Sequence, residues 1–176
     1  MSSWAVSRVS GSVQDLEQLF REHYAMLYRT AYGLLKNAAD AEDVPQTIFL
    51  RLLRSGMTPD ARSNPRGYLF RATVNLSLDK IRSRKREVFI GAAQQIEIAE
   101  PDSDANDLEA LNLRLSEAIA QLEPEAAQIV LLRYLHDQSD ADIAKLLGTS
   151  RGAIAMRLFR ARARLKKLMR ISGEGK

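Results

Sequence analysis

Everything periodic in this 176-residue chain advances at the helical step. Near the C-terminus Ile154, Leu158, Ala161, Leu165 and Leu168 recur at steps of four and three, one apolar stripe on one helix. The pattern predicts an all-α fold. A first helical region runs from Val13 to about Lys36, capped by Ser12 and broken near His23. Asp40 opens a second helix that ends near Ser55, GMTPDARSNPRG reads as a loop, and a third helix spans about Pro65–Arg86. Helices resume at about Asp107–Leu122, Pro124–His136, Asp140–Leu147 and Arg151–Arg170, with Pro124 suited to a first helical turn. Between the two groups, GAAQQIEIAEPDSDAND has no sustained period and reads as an acidic, flexible linker. The expected organisation is two small helical domains, residues 12–87 and 107–171, joined by residues 88–106.

The net charge of +4 conceals an asymmetry that bears on function. From Glu87 to Leu113 there are seven acidic residues and no lysine or arginine, whereas Ser150–Lys167 holds no acid at all. Solvated helix faces ordinarily mix both signs, so a single sign over five turns points to a polyanion. The absence of cysteine excludes disulfides and thiolate chemistry. His23 and His136 lack the spacing of a metal site, and no metal or cofactor is expected. No apolar run approaches the ~18 residues of a membrane span, and the N-terminus lacks the apolar core of a secretory signal. The expectation is a cytoplasmic protein with no membrane insertion.

DADIAKLLGTSRGAIAMRLFRA has the pattern of a helix-turn-helix: a short helix, a turn at Gly148, and a second helix capped by Ser150. The second helix of such a motif enters the major groove with its N-terminal residues at base edges. Arg151, Gly152, Ala153, Met156, Arg157 and Arg160 are therefore the candidate groove residues. Upstream, RGYLFRATVNLSLDKIRSRKR carries two apolar faces, Phe70, Val74, Leu78 and Ile81 on one and Leu69, Ala72 and Leu76 on the other. A polar stripe runs between them: Tyr68, Arg71, Asn75, Asp79, Arg82 and Arg86. An aromatic, an amide and several cations in one row suit single-stranded nucleic acid, where bases stack and cations track phosphates. In DAEDVPQTIFLRLLRS, Glu42, Gln46, Phe49 and Leu53 mix polar and apolar groups on one side, a pattern that fits a protein partner. No nucleophile–base pair, phosphate-binding glycine loop or metal cluster points to an enzyme.

These segments, in this order, resemble a bacterial RNA polymerase sigma factor of the extracytoplasmic-function group. LFREHYAMLYRTAYGLLKNAADAEDVPQTIFLRLL and YLFRATVNLSLDKIRSRKR carry the N-terminal likeness, and LEPEAAQIVLLRYLHDQSDADIAKLLGTSRGAIAMRLFRARARL the C-terminal one. The resemblance implies that Asp40, Glu42, Asp43, Gln46 and Phe49 bind the clamp helices of the polymerase largest subunit. It implies that Tyr68, Arg71, Asn75, Asp79 and Arg82 help melt and read the minus-ten element, and that the loop from Gly56 to Arg66 captures a flipped base. The C-terminal helix would read the minus-thirty-five element while its domain rests on the flap of the second-largest subunit. The linker would lie in the RNA exit path, and an anti-sigma factor is an expected partner. Pro45 departs from the family pattern, because it removes a hydrogen bond to the Ala41 carbonyl unless the helix starts late enough to make it a first-turn residue. Tyr68 stands near where the family more often has Trp. The leading expectation is a promoter-specificity subunit that binds core RNA polymerase and promoter DNA. The alternative is a sigma mimic that sequesters an anti-sigma factor without binding DNA.

Overall fold

The computed structural model describes the backbone of residues 3–91 and 103–171 and the side chains within residues 14–87 and 107–170. The described residues form α1 (Ser3–Leu35), α2 (Ala38–Ser55), α3 (Pro59–Ser63), α4 (Pro65–Gly91), α5 (Ser103–Ala120), α6 (Pro124–Tyr134), α7 (Asp140–Leu147) and α8 (Arg151–Ile171), and no strand. The all-α expectation holds. Residues 92–102, most of the expected linker, lie outside the described residues; its two edges belong to α4 and α5.

α1 is unbroken, contrary to the expectation of a break at His23, and Ser12 lies inside it rather than at its start. Leu16, Phe20, Leu27, Ala31 and Leu34 are all buried. His23 fits that stripe three residues after Phe20 and four before Leu27, so the period carries through a polar residue. α1 ends at Leu35, and Lys36 just beyond it adopts a positive φ of 52°. Asn37 then caps α2, its Oδ1 accepting from the Asp40 N–H at 3.0 Å. The cap is therefore Asn37 and not Asp40. Pro45 lies well inside the helix, where it cannot donate to the Ala41 carbonyl. It is buried beside Val44 and Ile48, so packing offsets part of the lost backbone bond. The expected loop between α2 and α4 contains one helical turn, α3, capped by Thr58 and anchored by buried Ala61.

α4 organises the molecule. On one side Leu69 joins a core built from Leu16, Phe20, Leu27, Ala41, Val44 and Ile48 of α1 and α2. On the other side Phe70, Val74 and Leu78 join a core with Ile119, Ile129, Val130, Ile143, Ile154 and Leu158 of the C-terminal helices. Both faces read from the sequence are occupied, one by the chain's own bundle and the other by the C-terminal bundle. Phe70, Val74 and Leu78 are fully buried, worth about 1.5–3 kcal/mol each relative to exposure as an upper estimate.

Glycine permits two close approaches across this second core. A Cβ at Gly67 would stand 2.8 Å from the Leu146 backbone carbonyl, and one at Gly33 would stand 2.6 Å from the Leu135 side chain. The same boundary carries polar contacts: Asn64 donates to the Leu146 carbonyl at 2.8 Å, and Gln128, buried in α6, donates to Asn75 at 3.4 Å.

Candidate functional site

The C-terminal helix pair is built by local chemistry. Ser139 and Asp142 form a reciprocal capping box at the start of α7. Gly148 closes that helix in the left-handed region, at φ 68° and ψ 39°, where a side chain would be strained. Ser150 Oγ accepts from the Ala153 N–H at 3.2 Å to open α8. Ile154, Leu158 and Ala161 are buried, fixing which side of α8 faces outward. Arg151, Gly152, Met156, Arg157 and Arg160 are exposed and Ala153 is half-buried, so the expected groove residues share an accessible region.

Two features of α8 escaped the sequence reading. Phe159 is 70% exposed, which is unusual for a large apolar side chain, and Met156 one turn earlier is also exposed. Apolar side chains at a major groove can contact the thymine methyl group. Arg157, by contrast, is paired with Glu125 of α6 at 3.0 Å. That carboxylate supplies the negative charge that α8 itself lacks. An open cleft of about 490 Å³ between α6 and α8 is lined by Glu123, Glu125, Arg157, Arg160 and Arg164.

On α4 the expected stripe exists, and most of its polar groups have protein partners. Tyr68 is half-buried and Arg86 is exposed. Arg71 pairs with Asp60 of α3 at 2.5 Å, tying the stripe to the loop expected to receive a base. Asn75 accepts from Gln128. Arg82 engages all three guanidinium nitrogens: Nε donates to the Ala120 carbonyl at 3.0 Å, Nη2 to the Leu122 carbonyl at 3.4 Å, and Nη1 lies 3.6 Å from Asp79. Those carbonyls close the C-terminal end of α5, where the helix dipole favours a cation.

The five residues expected on the partner-binding helix do not stay together. Glu42, Asp43 and Gln46 are exposed, and Phe49 lies edge-on to Phe20 with ring centroids 4.9 Å apart. Phe20, Arg21, Tyr24, Pro45, Gln46 and Phe49 line an open cleft of about 340 Å³ between α1 and α2. Asp40 turns the other way: its side chain is 24% exposed and pairs with Lys80 at 3.5 Å and with Arg84. Lys80 also holds Asp43 at 2.7 Å. Asp40 thus fastens the first turn of α2 to α4. Alongside this cleft, Tyr24, Tyr28 and Tyr32 stack in sequence with centroids 6.2 and 6.0 Å apart, an aromatic row not anticipated from sequence.

Neither histidine belongs to a metal-binding group, and no such group occurs among the described residues. His136 sits at the boundary of the two bundles, with Nε2 2.8 Å from Thr30 Oγ1 and its ring edge-on to Phe70. Thr30 donates its one proton to the Met26 carbonyl, so its oxygen accepts from a protonated Nε2. Burial, then the nearby Arg29 and Arg66, lower the His136 pKa to about 4, leaving the ring neutral. No helix among the described residues is long and apolar enough to cross a membrane.

Residues 19–87 match the family Sigma-70 region 2, and residues 112–165 match Sigma-70, region 4. The chain is 32% identical over 162 residues to the ECF RNA polymerase sigma factor SigL of Mycobacterium tuberculosis, spanning 89% of this chain and 92% of that protein. It is 30% identical over 157 residues to the RNA polymerase sigma-E factor of Streptomyces coelicolor, spanning 89% of this chain and 87% of that protein. Among solved structures, its fold is similar to the sigma factor RpoE in complex with the anti-sigma factor NepR from Bartonella quintana. The TM-score is 0.53 at 24% identity, over 90% of this chain and 98% of that one.

Proposed function

This chain belongs to the extracytoplasmic-function sigma factors of bacterial RNA polymerase, and from that premise we propose how its surfaces divide the work. As a sigma factor it brings core polymerase to promoters and directs initiation there. It acts by binding and by deforming DNA, without chemistry of its own and without a cofactor, in the cytoplasm. Residues 12–87 serve core polymerase and the minus-ten element, and residues 107–171 serve the minus-thirty-five element.

The face of α2 that presents Glu42, Asp43, Gln46 and Phe49 docks on the clamp helices of the largest subunit. Asp40 contributes by holding that helix on α4. Tyr68, Arg71, Asn75, Asp79, Arg82 and Arg86 follow the melted strand, and the α3 loop receives one flipped base. Extruding a base costs a few kcal/mol, which a fitted pocket offsets. α8 reads the upstream element through Arg151, Gly152, Ala153, Met156, Arg157 and Arg160, joined by Phe159, while its bundle rests on the flap of the second-largest subunit. The segment between α4 and α5 follows the RNA exit path. An anti-sigma protein is proposed to compete for the cleft between α1 and α2.

One observation carries this reading: two separate basic surfaces share the chain with an exposed carboxylate–amide–aromatic helix face. A sigma mimic that only sequesters an anti-sigma factor has no use for the acid-free α8. The purified chain, added to core polymerase, is expected to initiate at discrete promoters that sequencing of the transcripts will identify. Arg71→Ala and Asn75→Ala are expected to reduce permanganate reactivity of the melted region while polymerase binding persists. Unchanged promoter opening in both variants would remove the stripe from the DNA interface.

A further inference from the structure

Tyr24, Tyr28 and Tyr32 recur every four residues on α1, with ring centroids 6.2 and 6.0 Å apart and interplanar angles of 18° and 16°. Four residues of helix advance about 6 Å, so the backbone itself sets that spacing. Tyr28 is half-buried and packs against the N-terminal core, which fixes the middle ring, while Tyr24 and Tyr32 are 41% and 44% exposed. A helix that only had to cover a core would not leave two large rings in water on one face. The charge beside the row is of one sign. From His23 to Ala39 there is no acid, the same one-signed composition that marks α8. Arg29 and Lys36 are exposed, Arg21 lines the cleft beside Tyr24, and none of the three has an ion pair among the described residues. The acids that bound this stretch are engaged elsewhere: Glu22 accepts from Gln18 at 3.0 Å, and Asp40 pairs with Lys80 and Arg84 of α4.

We propose that this face of α1 binds single-stranded polynucleotide, with the tyrosines as platforms for successive bases and Arg21, Arg29 and Lys36 holding the phosphates. Aromatic platforms flanked by cations bind strands with little regard to sequence, because every base has a π-face. The rings are spaced more widely than the ~3.4 Å rise of stacked bases, so a strand is drawn out to seat one base on each. A duplex keeps its bases paired and stacked, and offers this face phosphates alone. A protein segment is the competing occupant, since Phe20, Pro45, Phe49 and the acid Glu17 line the cleft that begins at Tyr24. Arg29, Tyr32 and Lys36 lie outside that cleft, and unpaired cations beside an exposed ring suit phosphate and base better than an apolar partner. During initiation such a strand is separated DNA or the emerging transcript, which share this chemistry. The site is distinct from the α4 stripe and does not depend on what that stripe binds.

The probes are an oligothymidylate and an oligouridylate of about twelve nucleotides, each with one 5-iodouracil that photocrosslinks to a stacked aromatic ring. Irradiated with the full chain, they should give crosslinks that peptide mapping places on Tyr24, Tyr28 or Tyr32. Tyr32→Leu should lower affinity about fivefold or more, and Tyr32→Phe, which keeps the ring, should leave it unchanged. Tyr24→Leu repeats the test at the other exposed ring, with urea unfolding of each variant as the check that the fold persists. Arg29→Ala and Lys36→Ala should each reduce the salt slope of oligonucleotide binding by about 0.7. A duplex of the same length should bind Tyr32→Leu and wild type alike. Binding of both strands supports a site indifferent to the sugar, and binding of one alone names separated DNA or transcript as its source.

Crosslinks confined to α4 and α8 would overturn the proposal. So would variants that fold, bind both oligonucleotides as wild type does and lose affinity for core polymerase instead, because the row is then a protein-docking face. Equal losses with Tyr32→Phe and Tyr32→Leu would also overturn it, since the hydroxyl and not the ring would carry the contact.

Discussion

α4 and α8 are both basic helices, and they present their charge in opposite ways. α4 is gripped on two sides, Leu69 in one core and Phe70, Val74 and Leu78 in the other, so only a narrow polar row stays near solvent. Its cations answer to carboxylates and carbonyls of the protein: Arg71 to Asp60, Lys80 and Arg84 to Asp40, Arg82 to the end of α5. α8 buries one stripe and leaves the rest open, with Arg151 and Arg160 exposed and a phenylalanine beside them. The helix proposed to capture a strand is embedded in the fold; the helix proposed to read an intact groove is mounted on it. On the proposed assignment, affinity for DNA at α4 is set partly by what the rest of the chain releases, and at α8 mostly by α8 itself.

The largest expected difference between them is in stability. Phe70→Ala removes a fully buried ring from the core shared by both bundles and should cost about 3–5 kcal/mol in urea unfolding. Phe159→Ala removes a ring that is mostly in water and should change stability by less than about 0.5 kcal/mol. Its effect should fall on upstream-element preference instead. Comparable destabilisation by the two substitutions would mean that α8 is covered in solution, and the contrast would fail.

How much of this the sequence revealed follows the range of the signals. The α7–α8 pair was legible because Ser139, Asp142, Gly148 and Ser150 act within a few residues of themselves. The two faces of α4 were legible as a pattern, but their occupants were not. The bonds that join the bundles link residues far apart in sequence, such as Thr30 with His136 and Asn64 with Leu146, and each partner is unremarkable alone. The start of α2 was misplaced because Asp40 is as good a cap as Asn37, and only geometry distinguishes them. The family resemblance grouped Asp40 with Glu42 and Gln46, whereas two cations on α4 draw it to the other side. The exposure of Phe159 was hidden for the opposite reason: period shows which residues can be buried, not which apolar residue a helix leaves out.

A smaller effect is expected within α8. Arg160 is exposed with no ion pair among the described residues, whereas Arg157 is engaged by Glu125. Arg160→Ala should cost about 1–3 kcal/mol if it contacts a base in bidentate fashion, and relax preference at one promoter position. Arg157→Ala should do the same only if DNA displaces Glu125, and Glu125→Gln then strengthens binding. A panel of upstream-element variants assayed with reconstituted holoenzyme reads both. Uniform weakening across the panel by Arg157→Ala and Arg160→Ala would reduce α8 to a source of charge.

The boundary between the two regions carries its own pH dependence. His136 has a folded pKa of about 4 against an ordinary histidine value of 6.5, so between those values the unfolded chain binds a proton that the folded chain refuses. Its contribution to stability is complete above about pH 6.5 and disappears as pH falls toward 4. His136→Gln, which does not titrate, should flatten that part of the stability profile while leaving the rest unchanged. Identical slopes for variant and wild type between pH 4 and 6.5 would place the ring in solvent, and the bundles apart.

The smallest effect sharpens the comparison most cheaply. Lys167 is exposed, seven residues beyond Arg160, the last of the proposed groove residues, and on that assignment it reaches only phosphate. Lys167→Ala should weaken every promoter by a similar small factor and reduce the salt dependence of upstream-element binding by about one counterion. The slope separates the two helices because it counts phosphates neutralised, whatever the sequence. On α4, where Arg82 already has protein partners, the free chain should show almost no salt-dependent contribution from the stripe, and Arg82→Ala should leave its slope unchanged. In the holoenzyme the same substitution should lower the slope of strand binding by about one. A slope that falls for Arg82→Ala in the free chain would place that guanidinium on DNA from the start, and the difference between the embedded helix and the mounted one would vanish.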